Sequence, residues 1–234
     1  MDCTDMDVAG IIEENVSFHA GEKQLEGVLA YPEDTSPEQA ILLLSPHPHM
    51  GGRMDNNVLQ HLARRFAEEG CATLRFNYGG VGNSTLPSVE GEALFEYWAK
   101  LEEEKNYERV LPDAIAARNY LADALPAGVR LGYVGYSFGC CLATLLAKDC
   151  PPSQLADISP PTKRAPLDGV EHLTMPSLFV VGDDDFAFDM GAFEEAFARV
   201  PGAKRFVQLD GCDHFFRKQE ERVYETVRPL FFEA

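Results

Sequence analysis

Residues 129–148 read VRLGYVGYSFGCCLATLLAK, and this stretch decides the fold. Its first seven residues have the length and apolar character of a buried strand, and its last eleven are rich in Ala and Leu at helical spacing. Between them stands Gly135-Tyr136-Ser137-Phe138-Gly139, a G-x-S-x-G sequence at a strand-to-helix turn. The pentapeptide alone is a weak signal, and its context is what makes it strong. So tight a turn forces the central residue into a strained backbone conformation, while flanking glycines relieve the crowding. The Ser137 hydroxyl is thereby lifted out at the strand end, beside the positive end of the following helix. The competing reading is an ordinary βα turn in which Ser137 only caps the helix.

Working outward, strand and helix alternate along the whole chain. Residues 14–19 and 23–31 read as strands joined by Ala20-Gly21-Glu22, and 40–44 (AILLL) as a strand buried on both faces. Asp55 to Glu69 has helical period, with Leu59, Leu62, Ala63 and Phe66 on one face and Gly70 as a stop. Strand 71–77 leads into the loop YGGVGNST, followed by helical stretches at 91–104 and 108–124. After the central unit, 154–158 and 176–181 read as strands, 190–199 as a helix, 204–209 as a strand and 215–231 as a helix. This order predicts a single α/β domain over 1–234: a mostly parallel eight-stranded sheet with helices on both faces. Sites in such folds lie outside the carboxyl ends of the strands.

Composition sets the boundaries. Lys and Arg total 20 and Asp and Glu 38, for a formal charge of −18, which argues against nucleic acid and against an anionic membrane as partner. The N-terminal MDCTDMDVAG lacks a signal-peptide pattern, and no stretch has the apolar length of a spanning helix. The six cysteines show no C-x-x-C spacing and several have apolar neighbours, so reduced thiols and a cytoplasmic location are expected.

A serine hydroxyl needs a base and an orienting acid. Of the six histidines, His214 follows the last strand directly, on the same sheet edge as Ser137. The strand at 176–181 ends in Gly182-Asp183-Asp184-Asp185, three crowded carboxylates of which one turned inward could hold the His214 Nδ1–H. The other two are then solvated loop residues or caps for the helix near 190.

With these residues the sequence resembles the α/β-hydrolase superfamily, in its small, cap-poor branch of dienelactone-hydrolase-like proteins and short-chain esterases. The resemblance runs from the hairpin at 14–31 to His214 and includes SPHPHMGGRMDNN (45–57), RFNYGGVGNS (75–84), Gly182-x-x-Asp185 and DHFF (213–216). It implies the order Ser137, Asp185, His214, with the last Asp of the Gly-x-x-Asp turn as acid. Dienelactone hydrolases proper carry Cys as nucleophile, where this chain has Ser137. Relatives also often read Arg-Gly-x-Gly-x-Ser where this chain has Gly79-Gly80-Val81-Gly82-Asn83-Ser84, and the missing Arg predicts a loop tied less tightly.

Donor counting locates the oxyanion hole. One donor is the Phe138 amide. The second comes from the loop after 40–44, where Pro46 and Pro48 have no N–H; His49 is favoured over His47 and Met50. His47, Met50, Tyr136 and Phe186 are the pocket candidates. Residues 150–175 are too short for a cap domain, so an open site for compact substrates is expected. The aromatic stretch 89–110 is either a small helical flap or a surface helix on the sheet, with the Glu102-Glu103-Glu104 run solvated in both cases.

No metal set accompanies His47 and His49. The Gly79–Gly82 run lacks both the third glycine and the helix start of a dinucleotide loop. No cofactor is expected. The reading is a serine hydrolase acting on small-molecule carboxylic esters, neutral ones first, or on thioesters or small amides. The alternatives are an acyltransferase or peptidase with the same triad, and a non-catalytic binding module on the same fold.

Overall fold

The computed structural model describes residues 10–87, 89 and 92–233. The strands are β1 (Ile11–Ala20), β2 (Lys23–Pro32), β3 (Gln39–Leu44), β4 (Ala72–Phe76), β5 (Arg130–Tyr136), β6 (Leu155–Ile158), β7 (Ser177–Asp184) and β8 (Lys204–Asp213). The helices are α1 (Asn57–Glu68), α2 (Glu92–Glu104), α3 (Leu111–Asp123), α4 (Phe138–Asp149), α5 (Met190–Arg199) and α6 (Glu220–Phe232).

All eight strands form one sheet in the order β1-β2-β4-β3-β5-β6-β7-β8. β1 pairs antiparallel with β2, and β2 with β4; every other pairing is parallel. β3 and β5 are central, and β3 is buried along its whole length, as its unbroken apolar run requires. α1 and α6 cover one face through Leu59, Leu62, Phe66, Tyr224 and Phe231. α3 and α4 cover the other, together with Trp98 and Leu101 of α2 and Phe193 of α5. The predicted α/β-hydrolase architecture is the one observed. Among the described residues, no helix is long and apolar enough to cross a membrane.

Several boundaries differ from the sequence reading by a few residues, and three of them have a clear local reason. β7 and β8 run on to Asp184 and Asp213, past a register shift near Gly182. A Cβ at Gly182 would stand 2.2 Å from the Cys212 carbonyl oxygen, so only glycine permits this close approach. The last helix begins at Glu220 rather than 215, because Asp213 Oδ1 accepts the amides of Phe215 and Phe216 and the chain takes positive φ at Phe216 and Lys218. The cap of α5 is Asp189, whose Oδ1 accepts the Ala192 amide at 2.8 Å, and not one of the carboxylates at 183–185.

The loop after β4 is also firmer than the missing arginine suggested. Glu26 of β2 accepts the Asn77 side-chain amide and both N–H groups of Asn83, each at 2.7 Å. Asp113 of α3 accepts the Gly79 amide at 2.8 Å. A carboxylate from the neighbouring hairpin thus does the tying.

Candidate active site

Ser137 stands between β5 and α4 with φ 54° and ψ −117°, a conformation that costs an L-residue energy. The flanking glycines are compulsory. A Cβ at Gly135 would lie 2.7 Å from the Cys140 backbone, and one at Gly139 would lie 2.1 Å from the Leu44 carbonyl oxygen. The Ser137 amide is anchored on the Ile158 carbonyl at 2.8 Å. Its side chain makes no capping bond to α4, so the simple cap reading fails.

The Ser137 hydroxyl instead lies 3.1 Å from His214 Nε2. His214 Nδ1 lies 2.8 Å from Asp185 Oδ1, an oxygen that also accepts the Ala187 amide at 2.8 Å. With a carboxylate on Nδ1, the ring proton belongs there, leaving Nε2 free to accept the serine proton. The Asp185 side chain is 1 % exposed and that of His214 is 8 % exposed. Asp183 has another task. Its Oδ1 accepts the Cys212 amide at 3.1 Å, and backbone N–H groups from Gly211 onward hold its carboxyl below the usual range. Asp184 is exposed. The structure thus brings together the three residues singled out in sequence and separates Asp185 from its two neighbours.

A family model for the dienelactone hydrolase family matches residues 25–228. The chain belongs to that family. It is 27% identical over 224 residues to an uncharacterized protein of Rickettsia prowazekii, covering 91% of this chain and 86% of that one. Among solved structures it resembles an alpha-beta serine hydrolase homologue from Coxiella burnetii, with TM-score 0.73, 26% identity, and coverage of 93% of this chain and 97% of the other. An α/β serine hydrolase without a lid from Xanthomonas campestris matches in fold, with TM-score 0.74, 22% identity and coverage of 92% and 94%.

In this dienelactone hydrolase family member the turn after β3 rearranges the expected donors. The His49 amide points to His47 Nδ1 at 3.2 Å, and its ring Nε2 lies 2.9 Å from the Phe95 carbonyl. The Met50 and Gly52 amides donate to the His47 carbonyl, and that of Gly51 to the Pro48 carbonyl. His49, favoured by donor counting, is therefore engaged elsewhere. Among the described residues, the amide without an acceptor in 47–52 is that of His47. The Phe138 amide, at the first position of α4, is also free of intrahelical bonding.

A cavity of about 200 Å³ opens over Ser137. Its walls include the expected His47, Met50, Tyr136 and Phe186, and also Glu102, Tyr107 and Arg164, which the sequence reading missed. Glu102 corrects an expectation: it is half-buried, not solvated with Glu103 and Glu104. Its position four residues after the buried Trp98, on the same helical face, was the available signal. α2 packs its Trp98 edge-on to His47 at 5.4 Å, while Phe95 stacks on His49 at 4.2 Å. The helix is thus a wall of the pocket; positions 90 and 91 of the stretch lie outside the described residues. Met50, Phe95 and Phe186 are the large apolar residues exposed around the mouth.

Tyr136 has a supporting part. It is buried, lies nearly parallel to the His214 ring and donates its hydroxyl to the His214 carbonyl at 2.6 Å. Beneath the elbow, Asp157 of β6 is fully buried, and burial pushes its carboxyl well above the usual range. Among the described residues, no three His, Cys, Asp or Glu converge as a metal site, and Cys71, Cys140, Cys141, Cys150 and Cys212 are free thiols. Cys3 lies outside the described residues.

Proposed function

We propose that this protein hydrolyses carboxylic esters of compact acids through an acyl-enzyme on Ser137. The observation that carries the reading is the unbroken hydrogen-bonded line from Ser137 through His214 to Asp185, at 3.1 and 2.8 Å. His214 Nε2 takes the hydroxyl proton as Oγ attacks the ester carbonyl carbon, and Asp185 stabilises the imidazolium. The imidazolium then protonates the leaving alcohol. Water, deprotonated by the same Nε2, attacks the acyl carbon and releases the acid and free Ser137.

The tetrahedral oxyanion is held by the amides of Phe138 and His47. Each such donor is worth about 2.7–4 kcal/mol in the transition state. The second donor is assigned to His47 because its neighbours' amides already have acceptors.

Labelling by a fluorophosphonate, read by intact mass, tests the reading. The wild type is expected to gain one adduct on Ser137, and Ser137→Ala none. A folded wild type that resists the probe and shows no burst of p-nitrophenol from p-nitrophenyl acetate would identify the protein as a non-catalytic binding module.

A further inference from the structure

One flank of the pocket ends in two polar groups that ester cleavage leaves idle. His47 Nδ1 accepts the His49 amide hydrogen, so the imidazole proton sits on Nε2. Burial pushes the ring's basicity down to about 4, so it is neutral. Nε2 is buried with no hydrogen-bond partner among the described residues, and Glu102 Oε2 stands 3.8 Å away, too far for a direct bond. Neither group is free to close the gap. Trp98 and Phe138 pack edge-on against the His47 ring at 5.4 and 4.9 Å. Glu102 is held by the Tyr107 hydroxyl at 3.1 Å and by the Lys105 ammonium. Both residues line the cavity over Ser137. A buried donor without an acceptor is costly, and in a ligand cavity it marks where a ligand atom belongs.

The sheet order says which part of an ester lies there. His214 must reach the leaving oxygen, and it arrives from the β8 side with the Phe186 and Phe215 rings 4.9 and 5.6 Å away. His47 and Glu102 come from the β3 loop and α2, on the opposite flank of Ser137. With the carbonyl oxygen in the oxyanion hole, the acyl group points to that flank.

We propose that His47 and Glu102 read a hydroxyl on the acyl chain, which accepts the Nε2 hydrogen of His47 and donates its own to Glu102 Oε2. An oxygen about 2.8 Å from each partner spans the gap. A carboxylate there would be repelled by Glu102, and an ammonium could not accept from His47. The preferred substrates are then hydroxyacyl esters. This deepens the ester-hydrolase reading and rests on it.

The test compares kcat/KM for p-nitrophenyl butyrate with its analogues hydroxylated at the second or third acyl carbon. Wild type is expected to favour one hydroxylated ester by about tenfold or more. The preference should fall towards unity in Glu102→Leu and to an intermediate value in Glu102→Gln, which keeps one acceptor oxygen. Equal rates on all three esters in wild type, or a preference unchanged in the Glu102 variants, would overturn the proposal. The wild-type comparison needs no variant to fold. Turnover of none of the esters would instead overturn the ester-hydrolase reading, and the subsite with it.

Discussion

Tyr136, the residue before Ser137, donates its hydroxyl to the backbone carbonyl of His214 at 2.6 Å, so the strand that leads into Ser137 is bonded to the loop that carries His214. The two rings also lie nearly parallel, 6.0 Å apart. The position of His214 is thus set from the Ser137 side as well as from Asp185. Tyr136→Phe keeps the ring and removes the bond, leaving a carbonyl in a buried setting without its donor. A loss of about 1–3 kcal/mol in urea-unfolding free energy is expected. Ester turnover should fall in kcat more than in KM, while the fluorophosphonate adduct still forms.

Strain at the elbow makes a second expectation. Ser137 holds φ 54° only because its surroundings impose it. Ser137→Gly removes the Cβ and should stabilise the fold by about 1 kcal/mol while abolishing probe labelling and turnover. Equal or lower melting temperature in the glycine variant would show that the hydroxyl's bond to His214 outweighs the strain.

The three consecutive aspartates should differ sharply when each is changed to Asn. Asp185→Asn loses the charge that steadies the His214 imidazolium and can turn an amide N–H towards Nδ1, which favours the wrong tautomer, so kcat should drop by up to roughly 10⁴-fold with little change in stability. Asp184→Asn, at an exposed position, should leave both within twofold of wild type by the same assay. Asp183→Asn should lower stability rather than rate, because its carboxylate ties β7 to the Cys212 amide.

His47 should print a signature on acid stability. Burial lowers its folded-state pKa from 6.5 to about 4. Between those values the unfolded chain binds a proton that the folded ring refuses, so stability falls as pH drops through this window and levels below it. The full effect is about 3 kcal/mol. Urea titrations at pH 7 and pH 4 should show wild type losing that much more than His47→Gln, since other carboxylates contribute equally to both.

Much of this was legible in the residues themselves. The buried run at 40–44, the apolar periodicity of 55–69 and the elbow at 135–139 each depend on local pattern, and the elements followed. His214 and the acidic loop 183–185 were readable because strand order places them on one edge, whereas the choice of Asp185 within that loop came from the resemblance to the family. What failed depended on particular side-chain contacts, some near in sequence and some far, that no periodicity encodes. The His49 amide is captured by a side chain two residues back, and Glu26 replaces an expected arginine from 51 residues away in sequence. Glu102 looked like part of a solvated acidic run until Trp98 rotated its face into the pocket. The late start of α6 turned on hydrogen bonds from Asp213, whose role in the turn no periodicity reveals.

The sheet order has a consequence for the life of the chain. Ser137 and its elbow are synthesised well before β8, which His214 directly follows and which, among the described residues, pairs only with β7. A chain that has not yet added β8 therefore carries Ser137 without His214 beside it. Under the proposed mechanism, Ser137 gains its base only once β8 has been made and has paired with β7.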